Sequence, residues 1–414
     1  MLVEGKTGAG NDVINYKPLE GENGLESDKH VHLIVVGMSR MGTAMGVEAA
    51  QTAHYFNFRE NDNATRTHIT FIDSNAKEKM NVFMSRFPNV FDTMRWRYVY
   101  AEGEGEIYTL KGDTWNNPIE QKDSPYKHLG QNFTDLQWEF IDGRVESPEV
   151  RHYLSEAVSD NSAITTIAVC LPDTQQATQT ALYLPDYVLR NAHQILVYQE
   201  ENDAIIRNVN NPDDDCKKYD KILPFGIITD SFSVNQISDY EGMWINAYYM
   251  LNQKSDDDKK AWEEKDENWA KKKWRAISVS DRWSSIHSAN MINTKLRSVG
   301  CTIDSNIEDI EVAFNANMQA LVFTEHTRWV AEQLLGGFRP LYADEWENYK
   351  QTKKEAKKKA EKAHGNICSN AMLAKVDPEK HKNDEQVTIA LIEIIKRKRS
   401  QNDTRFSSLV NPTS

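Results

Sequence analysis

From residue 30 to residue 228 the chain alternates short, β-branched apolar runs with amphipathic stretches, an order that few folds accept. HVHLIVVG precedes MGTAMGVEAAQTAHYF, and RTHITFID precedes SNAKEKMNVFMSRF. DLQWEFID precedes SPEVRHYLSEAV, AITTIAVCL precedes DTQQATQTALYLPDYVLR, and AHQILVYQ and ILPFGII follow. Strands that are apolar along their whole length must be covered on both faces, and strand–helix alternation returns each strand parallel to the last. The expected fold class is therefore α/β, with a doubly wound, mainly parallel, Rossmann-like sheet over residues 28–235. An insertion at 92–133 interrupts it. Within that insertion MRWRYVYAEGEGEIYTL predicts a hairpin, because two aromatic strand runs flank a Gly/Glu turn. Residues 1–27, rich in Gly, Asn and Glu, read as a flexible arm.

From about residue 236 the pattern becomes helical. A charged connector is expected at 236–275, a helical domain at 276–400 and a tail at 401–414. Hydrophobic residues make up 39% of the chain, which suits a packed protein rather than a disordered one. A net charge of −13 argues against wrapping nucleic acid. The basic stretches YKQTKKEAKKKAEKA and IIKRKR read as solvated helix faces. The four cysteines form no CxxC pair or Cys/His cluster, so reduced thiols and no zinc site are expected. No leader-like apolar core opens the chain and no apolar run approaches the ~20 residues a membrane helix needs. A cytoplasmic protein without a membrane span is the expectation.

The loop after the first strand carries the first candidate site. Gly37-x-Ser39-x-x-Gly42 is not the GxSxG of a nucleophile elbow, and no His and acid follow in hydrolase order. It is a variant of the dinucleotide fingerprint GxGxxG, placed after a first strand and at a helix start. Gly37 would make the tight turn and Gly42 would let helix and strand approach. Backbone N–H groups over Gly37, Met38, Ser39, Arg40, Met41 and Gly42 would hold a phosphate, with the Arg40 cation beside them. Asp73, followed by Ser74, ends the second strand, where a carboxylate can accept ribose hydroxyls. It lies 31 residues after Gly42 rather than the usual ~20. The alternative is a scaffold of the same type that holds no ligand.

These residues bring a resemblance into view. LIVVGMSRMG, Asp73 and IDGRVESPEV resemble the nucleotide-binding domain of potassium-transport regulators of the Trk/RCK type. There Asp142-Gly143 stands where that family has Gly-Asp. The resemblance implies NAD(H), ADP, ATP or another adenine nucleotide bound as a regulator, with Asp142 near the adenosine. A second stretch, FTEHTRWVAEQLLGGFRPL, followed by AHGNICSNAM and NDEQVTIALIEII, is similar to the ryanodine-receptor repeat (RyR) domain found in bacterial proteins. Its matching residues are Glu325, His326, Trp329, Gly337 and Phe338.

On a helix Glu325 and Trp329 share a face, with His326 turned about 100° away. The bland account makes Trp329 a core residue and His326 a hydrogen-bonded structural one. The functional account stacks a ring on Trp329 while His326, Arg328 and Arg339 contact phosphate.

Together these features lead us to expect a nucleotide-sensing regulatory protein, with the helical domain as ligand-binding or output module. A small-molecule nucleotide, a protein partner for the helical domain and a homodimer are the expected associations. An NAD-dependent or nucleotide-processing enzyme is the alternative, with His326 as its only candidate acid–base residue. A soluble regulatory subunit of an ion transporter is a third reading.

Overall fold

A computed structural model describes residues 5–7, 14–60, 62–104, 107–200, 217–226, 228–251, 256–352 and 357–410. A short hairpin, β1 (Gly5–Thr7) and β2 (Ile14–Tyr16), precedes the main sheet. That sheet contains β3 (His30–Val36), β4 (Thr67–Asp73), β5 (Arg95–Glu104), β6 (Ile107–Gly112), β7 (Leu136–Asp142), β8 (Ala163–Val169), β9 (Gln194–Tyr198) and β10 (Ile222–Phe225). Its order is β10-β9-β8-β3-β4-β7-β5-β6, parallel throughout except for β6. All six apolar runs become strands, as expected. The insertion's hairpin also forms, and it does more than decorate the surface: β5 pairs in parallel with β7 and widens the sheet.

Helices α1 (Arg40–Thr52) and α2 (Ala76–Arg86) cover one face through Met45, Ala49, Met80 and Phe83. The other face is covered by α3 (Pro148–Ala157), α4 (Thr174–Leu182) and α5 (Asp186–Asn191) through Val150, Leu154, Ala177 and Val188. From β3 the chain runs outward through β4 to β7, then crosses back to β8 on the other side of β3. That reversal puts the switch point, where folds of this type open a crevice, at the carboxyl ends of β3 and β8.

The helical region includes α6 (Ile228–Leu251), α7 (Val279–Asn290), α8 (Ile292–Ser298), α9 (Met318–Leu335), α10 (Asn370–Val376) and α11 (Pro378–Val410). Its own core joins Trp244, Leu296, Phe314, Leu391 and Ile395. Two expected boundaries shift. Part of the segment read as a connector is core, because Met243, Trp244 and Ile245 on α6 are buried. The last helix continues to Val410, past the expected start of the tail.

The α/β and helical parts share one apolar cluster, in which Leu33, Met45 and Phe71 meet Val330, Leu334 and Trp346. α9 packs against α1, Phe58 stacks on Phe323 at 5.8 Å, and Asn89 donates to the Gly337 carbonyl at 2.9 Å. The arm was expected to be loose, yet its described residues 16–20 are tied down. Tyr16 is buried and its hydroxyl donates to the Pro224 carbonyl at 2.5 Å. The Gln194 amide donates to the Lys17 carbonyl at 2.7 Å, and Glu20 is ion-paired with Arg297 at 2.6 Å. An aromatic ring and backbone groups shielded from water must find partners, and these lie on the sheet edge and α8. No described helix is long and apolar enough to cross a membrane.

Candidate functional site

The glycine-rich loop sits in the crevice at the end of β3. Gly37 has φ +96°, and a Cβ there would lie 2.9 Å from the Cys170 carbonyl oxygen. A Cβ on Gly42 would lie 2.0 Å from the Gly37 carbonyl oxygen and 3.1 Å from Val35 Cγ1. Both positions therefore require glycine, for the turn and for the approach of α1 to the sheet. Ser39 is the N-cap of α1, and its hydroxyl oxygen accepts the Gly42 N–H at 3.1 Å. That bond satisfies a helix-end donor the chain would otherwise offer outward. Arg40 is exposed at the first turn, Met41 is half-buried, and Met38 is buried under the loop.

Asp73 does not point freely into the crevice. Its Oδ2 accepts the Met38 N–H at 2.8 Å and is ion-paired with Lys79 at 2.7 Å, while Oδ1 accepts the Asn75 N–H at 3.0 Å. The expected acceptor of ribose hydroxyls is thus a brace for the loop, already charge-paired. Ser74 beside it is exposed. Asp142 lies opposite Asp73 in the β4–β7 register and accepts the Tyr98 hydroxyl at 2.8 Å. All nine crevice residues expected from sequence therefore gather along the carboxyl edge of β3, β4 and β7, but both carboxylates are engaged internally.

A cavity of about 460 Å³ lies among the helices, where Glu325, His326, Arg328 and Trp329 meet side chains from α6, α7 and α11. Four of the five residues expected at the second site line it. The fifth, Arg339, does not. Its guanidinium pairs with Glu345 at 2.7 Å and Glu361 at 3.2 Å and lies 3.9 Å from the Tyr342 ring centre.

The expected phosphate contacts also fail for Arg328. Behind the cavity wall runs a buried chain of charges: Lys295 to Glu325 at 2.5 Å, Glu325 to Arg328 at 2.9 Å, and Arg328 to Glu332 at 2.6 Å. Burial opposes ionisation of Glu325, but Arg328 and Lys295 hold its carboxyl down at about 2. A guanidinium fixed between two carboxylates has no fork left for a phosphate.

His326 is buried, with Nδ1 3.2 Å from Asp384 Oδ2 and Nε2 2.9 Å from the Cys368 carbonyl oxygen. Both partners are acceptors, so the ring suits them best when both nitrogens carry protons. Burial alone would lower its pKa. The Asp384 hydrogen bond and charge, with the Cys368 carbonyl, raise it above the ordinary 6.5. With both nitrogens committed, the residue named for an enzyme has no lone pair to offer as a base.

A folded-state pKa above the unfolded one stabilises below the unfolded value and loses that contribution as pH rises through the folded value. The stability gap between wild type and His326→Gln in urea unfolding should be larger at about pH 5.5 than at about pH 8.5. An unchanged gap would mean that His326 is neutral in the fold.

A third polar cluster lies on the α3 face of the sheet and has no counterpart among the sequence expectations. Register sets His32 opposite His68, Thr70 opposite Glu139, and Glu139 opposite Arg97. The two imidazoles stack at 4.3 Å, and burial lowers the pKa of both well below 6.5. Thr70 Oγ1 is 2.9 Å from His32 Nε2 and donates to Glu139 Oε2 at 3.0 Å; Glu139 also bonds Arg97 and the Tyr153 hydroxyl. Ligand atoms of His32, His68 and Glu139 lie within 4.8 Å of one another, a grouping that a metal ion could use. With the Thr70 proton directed to Glu139, the neutral His32 tautomer that fits carries its proton on Nε2, towards Thr70 Oγ1. Its signal was in the sequence. Polar residues alternate along strands otherwise apolar on both faces, at His30/His32, His68/Thr70, Arg95/Arg97 and Gln137/Glu139.

Comparison of the chain with models of protein families, with curated proteins and with solved structures finds no match.

Proposed function

We propose that this is a nucleotide-sensing regulatory protein. Its α/β part, Rossmann-like and of the Trk/RCK type, would bind NAD(H), ADP, ATP or a related adenine nucleotide at Gly37–Gly42. Its RyR-like helical part would serve as a second ligand-binding or output module. One observation carries the reading: α1, which begins at the glycine-rich loop, packs in one apolar cluster with α9, which bears Glu325 to Trp329. Close-packed helices transmit small shifts, so an occupant of the crevice would bear on the cavity.

The crevice favours phosphate over ribose. Two obligatory glycines shape the loop, α1 begins directly after it, and the exposed Arg40 stands at its first turn. The sugar would meet Asp73 only by displacing Lys79. Sensing is favoured over turnover because His326 has both nitrogens bonded.

Calorimetry with NAD, ADP and ATP should detect binding to the wild type. Arg40→Glu, which reverses an exposed charge without touching the core, should weaken it by about tenfold or more. Absence of binding by all of these nucleotides, or equal binding by wild type and Arg40→Glu, would reject the proposal.

A further inference from the structure

The helical cavity asks for a different ligand from the crevice. Of its lining side chains, Asp281, Glu325 and Asp384 are acidic while His326 and Arg328 are cationic, so three negative charges face two positive ones. Both cations are already paired, Arg328 with two carboxylates and His326 with Asp384. Among the described lining residues a phosphate entering there would meet net negative charge and no uncommitted cation.

What the cavity does offer is neutral. Asn246 and Ser288 line it from α6 and α7, and they are only 6% and 1% exposed. Among the described residues, Asn246 Nδ2 and Ser288 Oγ have no hydrogen-bond partner. Buried polar groups in a folded protein are nearly always satisfied, so an unfilled donor and hydroxyl on the wall of a cavity point to an absent partner. Trp329 is only partly buried, its ring edge-to-face with His364 at 5.0 Å, and Tyr249 adds a second aromatic wall. Aromatic planes with an amide and a hydroxyl at the edge are how proteins hold a heterocyclic base. The volume, about 460 Å³, falls in the range of small-molecule sites.

We infer that this cavity takes an unphosphorylated planar heterocycle of nucleoside size, neutral or cationic, stacked on Trp329 and read by Asn246 and Ser288. The inference rests on the helical region being a ligand-binding module and is independent of what occupies the crevice. Calorimetry on the full chain would compare adenosine, guanosine, cytidine and uridine, each against its own 5′-monophosphate. At least one nucleoside should bind, about tenfold or more tighter than its monophosphate. Asn246→Leu should weaken that binding by a similar factor, and Arg40→Glu should leave it unchanged. Ser288→Ala, a smaller change, supplies the same comparison if Asn246→Leu does not fold.

The inference is overturned if no nucleoside binds, if the monophosphate binds Arg40→Glu, whose crevice is disabled, as tightly as the nucleoside does, or if loss of the amide or hydroxyl has no effect. Nucleotide binding that is lost in Arg40→Glu and kept in Asn246→Leu would then still leave the crevice reading standing, so each can fail alone.

Discussion

Glu325→Ala should destabilise the protein by about 3–5 kcal/mol, the cost of leaving buried charge without its counter-ion. Glu325 is 2% exposed, and its two oxygens face Lys295 and Arg328, themselves 1% and 2% exposed. Removing the carboxylate strands Lys295 outright and leaves Arg328 with Glu332 alone. Burial pulls the Lys295 pKa down and Glu325 pulls it back up, so in the variant this lysine would tend to lose its proton.

The double variant Lys295→Met/Glu325→Leu removes the pair together. It should recover most of the loss, because apolar side chains of similar volume replace an ion pair at little cost. Urea unfolding of the three proteins tests this; a loss below about 1 kcal/mol in the single variant would show that water reaches the site. The acid limb gives a second check. A carboxyl held at about 2 against 4.5 contributes stability that is complete above 4.5 and lost as pH falls towards 2. Glu325→Gln should flatten that limb.

Gly42→Ala is expected to cost about 1–3 kcal/mol, the range for forcing atoms into a packed site. The new Cβ would lie 2.0 Å from the Gly37 carbonyl, a backbone atom in a loop held by the Gly37 N–H to Ile72 bond at 2.8 Å. Neither side can give way by a simple rotamer change, so α1 must lift from the sheet. Since α1 also packs on α9, the shift should reach the helical region and lower the melting temperature as one transition. Ser39→Ala provides the scale. It removes one capping bond and should cost about 1 kcal/mol. If Gly42→Ala melts with the wild type, loop and helix do not meet this closely and α1 stands further from the sheet.

Much of the crevice was legible in the chain. Gly37 and Gly42 were readable because a positive φ and a near-contact of backbones each require the same residue. The helix, expected from Met41, starts one residue earlier at Arg40, because the Ser39 side chain caps it. Asp73 could be placed at a strand end, but its partner Lys79 arises one turn into α2 and could not be singled out among many lysines. The same limit explains the cavity. Glu325, His326, Arg328 and Trp329 were found together because they lie within five residues of one helix, in the stretch that resembles the RyR repeat, whereas Asn246 and Ser288 come from helices that meet α9 only after folding. Arg339 was placed with them from closeness in sequence, and the turn after α9 carries it away to Glu345.

Local periodicity and the special demands of glycine settled the strands, their parallel direction and the place of the glycine-rich loop, because those depend on residues a few positions apart. Charge pairing, docking of the arm and the outline of the cavity were settled only by tertiary structure. Lys295 meets Glu325 across 30 residues, His326 meets Asp384 across 58, and Glu20 meets Arg297 across 277. A buried charge takes whichever counter-ion the packed core brings within reach, and nothing in the spacing of the chain encodes that choice.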